Sequence, residues 1–229
     1  MIVKTLKGGF PSPKGAKNMV SKEKAKKIVA ILSQNFSDKP ALHYGTPYEL
    51  LVAVMLSAQC TDERVNKVTA ELYKNYDTPE KMLALSQEEL EEKIFSCGLY
   101  KTKAAHILSA SRDILTRFGG KVPDNLKDLQ SLAGVGVKTA NVVYSVAFGG
   151  DAIAVDTHVF RVSNRIGLAD AANVTKTEKQ LMDNIEKSMW RKAHHYLIYL
   201  GRQVCKAGRP LCGACPIEAL CEKNIKNRK

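Results

Sequence analysis

The sequence predicts an all-α protein, and three observations carry that prediction. Helix-opening signatures recur at short intervals, apolar residues fall at three- and four-residue spacing between them, and no strand-type alternation persists beyond a few residues. The 229-residue chain, 45% hydrophobic and 25% charged, has ordinary globular composition and enough length to bury a core in one large domain or two small ones. Its charge is not ordinary. Thirty-five Lys and Arg against 23 Asp and Glu give a net charge of +12 and a pI near 9.4. Such an excess speaks to partners, with nucleic acid first and an anionic membrane surface as the rival. No apolar run approaches the roughly 18 residues that span a bilayer, and no apolar stretch of a secretory signal follows the N-terminal lysines.

Taken in order, residues 1–20 are rich in Lys, Gly and Pro without periodicity and read as a mobile basic arm. Between positions 1 and 27, eight lysines stand against one glutamate, so the arm adds nonspecific phosphate attraction or nothing. Ser21 caps a first helix with Ala25, Ile28, Val29 and Leu32 on one face, ending near Phe36. Thr46-Pro47-Tyr48-Glu49 reads as a capping box with Pro at the first helical position. The nearly all-apolar Leu50–Leu56 that follows marks a helix buried on most sides. It stops at Ser57-Ala58-Gln59-Cys60-Thr61-Asp62, and the next helix carries Val65, Val68 and Leu72. Thr78-Pro79 opens a short helix, and Ser86 with Glu89 opens another carrying Leu90, Ile94 and Phe95. Gly98-Leu99-Tyr100 turns into a long helix that Gly119-Gly120 ends after Phe118.

Asp124 is expected to cap a short helix through Leu132, and a second helix runs from Val137 to about Phe148. Ala152–Val155 reads as a short buried connection. Asp156 and Thr157 are both good N-caps for the helix that runs through Arg165 to Gly167. Thr175 with Glu178 reads as a capping box for a helix carrying Leu181, Ile185 and Trp190. A last helix, roughly Lys192 to Val204, delivers the chain to Cys205.

The chemistry gathers at Leu132-Ala133-Gly134-Val135-Gly136-Val137-Lys138-Thr139-Ala140. Gly134 and Gly136 let the backbone turn sharply between two helices, making a helix-hairpin-helix whose free N–H groups suit a phosphate. Lys138 falls in the first turn of the second helix, where the macrodipole disfavours a cation, so stability does not explain it. Asp156 follows eighteen residues later. His158 and Arg161, three apart on one helical face, suit phosphate contact. Taken singly, Lys138 is a solvated surface charge and Asp156 an N-cap. His106 is expected at the surface, and His194 and His195 beside Tyr196 to pack or cap.

Four of the six cysteines crowd into the last 25 residues, as Cys205, Cys212, Cys215 and Cys221. With no secretory signal, a metal or cluster site is favoured over disulfides, and the expected compartment is a reducing cytoplasm. Two candidates fit four thiolates at this density, a structural zinc ion and a four-iron cluster. Only Cys212 and Cys215 form a close pair, which favours the [4Fe-4S] cluster and leaves zinc as the alternative. A cluster would fix the loop between Cys205 and Cys212 and present Lys206 and Arg209 to phosphates. Cys60 and Cys97 read as small core residues.

The glycine hairpin with Lys138, the Ala154-Val155-Asp156-Thr157-His158 segment and the cysteine spacing together resemble the endonuclease III family of DNA glycosylases. Ser57-Ala58-Gln59-Cys60-Thr61-Asp62 and Gly98-Leu99-Tyr100 also look like that family's loops, and the likeness extends from about residue 20 to the cysteines. The resemblance implies a two-domain helix-hairpin-helix glycosylase fold. Residues 40–150 would form a six-helix barrel domain, and 21–39 with 151–229 a discontinuous iron–sulfur cluster domain. It also implies a bifunctional enzyme that removes an oxidised pyrimidine from double-stranded DNA and cuts at the abasic site. Lys138 would attack C1′ and form a Schiff base, with Asp156 stabilising positive charge or handling protons. Gln59 and Leu99 would fill the space the extruded base vacates. The cluster would be structural, and the working unit a monomer associated with the nucleoid in a prokaryote, with no membrane partner.

Two departures stand out. Family members often carry Pro and Arg where this chain has Ala133 and Val137, which loosens the turn and removes a possible phosphate contact. Mismatch and pyrimidine-dimer glycosylases of the same superfamily are alternatives, as is a noncatalytic DNA-binding module.

Overall fold

The computed structural model describes residues 19–225, among which there is no strand and no helix long and apolar enough to cross a membrane. Most of the arm expected over 1–20 lies outside the described residues. Helix α1 (Lys22–Asn35) starts at Ser21, whose hydroxyl accepts the Lys24 N–H, and buries Ala25, Ile28, Val29 and Leu32. The chain then builds one core from α2 (Pro47–Leu56), α3 (Asp62–Leu72), α4 (Pro79–Met82), α5 (Gln87–Ile94), α6 (Tyr100–Phe118), α7 (Leu126–Gln130) and α8 (Val137–Ala147). Six of these run five residues or more, and α4 is a single turn of four.

Helix α2 is the axis of this core. Every residue from Leu50 to Leu56 is buried, because the helix is covered from several sides. The Tyr48 and Ser111 hydroxyls, 2.6 Å apart and buried, fasten it to α6. On its other flank Leu50 and Val54 pack with Val142 of α8 and with Ala154. That small cluster joins the first core to the second.

The second core holds α1, the buried 153–155 connection, α9 (Thr157–Ile166), α10 (Val174–Asn184) and α11 (Trp190–Gln203). Helix α1 packs on α11, so the chain's first described helix belongs spatially with its last third. Beyond α11 the chain makes 3-10 turns at Cys212–Ala214 and Glu218–Leu220.

Local capping differs from the sequence reading at three helix starts, each for a visible reason. Thr46 accepts the Glu49 N–H, but the Glu49 carboxylate takes the Gly45 N–H at 2.5 Å rather than that of Thr46. Asn125, not Asp124, caps α7. Asn173, not Thr175, caps α10, since the Glu178 side chain is committed elsewhere and accepts from Asn141 of α8 at 2.8 Å. Phe95 also departs from expectation. Leu90 and Ile94 are fully buried while Phe95, one residue further and about 100° around a helix, is 64% exposed and tilted against Tyr100.

This contrast sets a prediction for chemical denaturation. Leu90→Ala should cost about 2–5 kcal/mol, as expected for a fully buried leucine, whereas Phe95→Ala should stay within about 0.5 kcal/mol.

Candidate active site and cysteine pocket

The hairpin between α7 and α8 folds as it does because Gly134 has φ +73°, and a Cβ there would sit 2.7 Å from the His106 ring. His106 is thus half-buried against the turn, not a free surface residue as expected. Val135 is buried at 5% exposure, and its N–H donates to the Leu132 carbonyl at 3.1 Å. Val135, expected among the DNA contacts, thus has its side chain and its N–H engaged within the protein. Gly134 and Gly136 are exposed. Helix α8 begins at Gly136 without a side-chain cap. Among the described residues, the N–H groups of Gly136, Val137, Lys138 and Thr139 have no protein acceptor, and they form an open donor array at a helix N-terminus.

Lys138, exposed in the first turn of α8, and Asp156, the N-cap of α9, line one cleft between the two cores. The cleft encloses about 530 Å³ and is completed by Ser57, Asp62, Val142 and residues of α11. Asp156 Oδ1 accepts the Val159 N–H at 2.8 Å, which leaves Oδ2 without a partner among the described residues. Across the cleft Arg202 of α11 donates to Asp62 of α3 at 2.6 Å, a pair that ties the second core to the first.

His194 and His195 were expected only to pack or cap. They do pack, at 4% and 5% exposure, and both also line this cleft. His194 Nδ1 lies 2.7 Å from the Ala154 carbonyl, which requires Nδ1 to carry the proton and leaves Nε2 as the acceptor. Burial holds His194 below its ordinary range. It pushes His195 down to about 3, with His194 and Arg191 adding to the effect. The cleft is therefore walled by neutral imidazoles near neutral pH.

Gln59 and Leu99 do not line the Lys138 cleft, yet they are brought to each other. A Cβ at Gly98 would lie 3.7 Å from the Gln59 carbonyl. Both residues hold left-handed backbone, with φ of 54° and 58°, and Leu99 is 58% exposed.

The four C-terminal cysteines line one small pocket, walled by Ile166, Leu200, Val204, Pro210 and Leu211. Among the described residues no three His, Cys, Asp or Glu are arranged for a single metal ion. Burial pushes the Cys215 and Cys221 thiols up, so holding them as thiolates calls for a positive centre beside them. Donors already face the sulfurs, with the Arg165 guanidinium 3.6 Å from Cys205 Sγ and the Lys223 N–H 3.3 Å from Cys221 Sγ. Four thiols around one pocket suit either a polynuclear iron–sulfur core or a single tetrahedral ion.

Two arginines that the sequence reading left without this role hold the cysteine loop. Arg161 donates to the Gly201 and Cys205 carbonyls, which removes it as the phosphate contact expected beside His158. Arg165 donates to the carbonyls of Lys206 and Ala207 at 2.7 and 2.8 Å. Their i,i+4 spacing on α9 was a legible signal of a shared task. Lys206 and Arg209 themselves are exposed on that loop, and His158 is half-buried with Nδ1 3.2 Å from Arg161.

Residues 52–187 match the family model described as HhH-GPD superfamily base excision DNA repair protein. Endonuclease III of Bacillus subtilis is 50% identical over 189 residues, covering 82% of this chain and 86% of that relative. A trapped endonuclease III–DNA covalent intermediate superposes with a TM-score of 0.85 at 45% identity, covering 90% of this chain and 97% of that one. A thermostable thymine-DNA glycosylase is similar at TM-score 0.79 and 25% identity, covering 87% and 95%.

The buried histidines give a pH dependence with a definite sign. A folded pKa below the unfolded value means that the unfolded chain takes up protons first, so stability falls as pH drops below about 6.5. Lowering pH from about 7 to 5 should cost roughly 2 kcal/mol through His195 alone. In denaturation curves across that range, His195→Gln should flatten the loss.

Proposed function

The chain belongs to the endonuclease III family of HhH-GPD base excision DNA repair proteins, and from that premise we propose that it is a DNA N-glycosylase with abasic-site lyase activity, acting on oxidised pyrimidines in duplex DNA. The observation that carries the reading is the meeting of Lys138 and Asp156 in one cleft beside a hairpin with an open array of N–H donors. Those donors and the neighbouring basic surface hold the backbone phosphates, which brings a nucleotide turned out of the stack to the mouth of the cleft.

The neutral amine of Lys138 attacks C1′ of that nucleotide and the C1′–N bond breaks, the base leaving with the bonding pair. Ring opening then gives a protonated imine between C1′ and Nζ. Loss of the 2′ proton to a base in the cleft moves electrons toward the imine and expels the 3′ phosphate. Water finally hydrolyses the imine and returns Lys138. Asp156 stands where it can stabilise the cation developing on the sugar, because its Oδ2 is uncommitted while Oδ1 holds the α9 backbone. Gln59 and Leu99 occupy the space left in the stack. The neutral imidazole walls add no positive charge of their own to repel the sugar cation.

Cys205, Cys212, Cys215 and Cys221 would hold a [4Fe-4S] cluster, which supplies a rigid polycysteine anchor outside the cleft. Structural zinc is the alternative ligand set. The four cysteines do not line the cleft, and a group held by them would serve to fix Lys206 and Arg209 on their loop.

Three outcomes follow. Lys138→Gln should lose borohydride trapping on abasic DNA and strand cleavage by about a thousandfold or more while gel-shift binding survives. Equal cleavage by that variant would move the nucleophile elsewhere. Asp156→Asn keeps an oxygen for the α9 cap but loses the charge, so turnover should fall about a hundredfold with little change in melting temperature. The purified protein should absorb near about 400 nm and contain iron; a colourless, zinc-containing protein would overturn the cluster assignment.

A further inference from the structure

We propose that Lys103 is a positioning residue for base extrusion, its buried ammonium tying the loop that carries Gln59 to the loop that carries Leu99 so that both enter the duplex as one unit. The inference rests on the reading of those two residues as the wedge.

Lys103 lies on the buried stripe of α6 with Ala104, Ile107, Ala110, Ser111 and Ile114, and only 6% of it is exposed. A lysine in such a stripe is costly unless its charge is met. No carboxylate among the described residues pairs with it; two backbone carbonyls do. Its Nζ donates to the Leu56 carbonyl at 2.8 Å and to the Cys97 carbonyl at 3.0 Å. Leu56 is the last residue of α2, three before Gln59, and Cys97 lies just past α5, two before Leu99. The Leu56 carbonyl is at the C-terminus of α2, where the chain leaves acceptors unpaired and partly negative, and the Cys97 carbonyl is in the loop between α5 and α6. A single ammonium therefore ties the end of α2 to that loop.

The two loops need such a clamp. Gln59 and Leu99 are two of three non-glycine residues with positive φ among those described, a strained conformation that persists only where the surroundings enforce it. Neither residue is itself buried or anchored by its side chain. The free thiols of Cys60 and Cys97 lie near the same ammonium. Burial lowers the Lys103 amine, against the opposing pull of the two thiols, as expected for a cation held by dipoles rather than by an ion pair.

The test separates extrusion from chemistry. Lys103→Met fills the same space without the donors and leaves the Leu56 and Cys97 carbonyls unmet. On duplex DNA with one oxidised pyrimidine, its base release should fall about 10- to 100-fold. Borohydride trapping on a single-stranded abasic oligonucleotide, which needs no wedge, should match wild type. Unchanged base release overturns the proposal, and so does an equal loss in both assays. Absence of trapping by the wild-type protein would instead sink the lyase reading itself. Hydrogen exchange on wild-type protein decides the matter should the variant not fold. The amides of 58–60 and 98–100 should open together with matching free energies, and unrelated protection in the two loops contradicts the tie.

Discussion

A carboxylate that caps a helix has one oxygen committed and one to offer, and at Asp156 that division organises the molecule. Oδ1 holds the Val159 N–H at 2.8 Å, so the position of the carboxylate is set by the first turn of α9 and not by a flexible side chain. Asp156 lines the same cleft that Lys138 lines from the start of α8. Two helix N-termini are thereby used in opposite ways. At α9 the capping carboxylate takes one orphan donor, the Val159 N–H, and at α8 no side chain takes any, so the donors are left for a ligand.

The other end of α9 explains how a cysteine pocket can matter to a cleft it does not touch. Arg161 and Arg165 lie one and two turns along the same helix and hold the carbonyls of Cys205, Lys206 and Ala207. A ten-residue helix spans only about 15 Å, so the grip on the cysteine loop and the cap at Asp156 belong to one short rigid rod. Helix α11 packs along that rod and brings His194, His195 and Arg202 to the cleft. The Arg202–Asp62 pair and the Leu50, Val54, Val142 and Ala154 cluster then hold the two cores at their seam.

Much of this was legible in the chain. Apolar spacing and turn chemistry located the helices because burial and capping are local demands, and the hairpin, Lys138 and four cysteines stood out because their residue types serve stability poorly, whereas Asp156 read singly as an N-cap. What escaped were choices among equivalent caps and contacts made across long sequence separations. Glu178 could reach back along its own helix or out to Asn141, and only the packing of α10 on its neighbours decides. Val135 looked like part of a phosphate cradle until its side chain was seen in the core. Lys103 drew no remark from the sequence, although its place on the apolar stripe of α6 was a signal available from spacing alone.

The central claim is that one amine, on the first turn of α8, makes the covalent bond to the sugar. Mass spectrometry of the wild-type protein after borohydride reduction on abasic duplex DNA tests it most directly. After proteolysis and nuclease digestion, the account predicts the sugar-derived mass on the peptide containing Lys138 and on no other lysine. The adduct on a different lysine or on the N-terminal amine would contradict it.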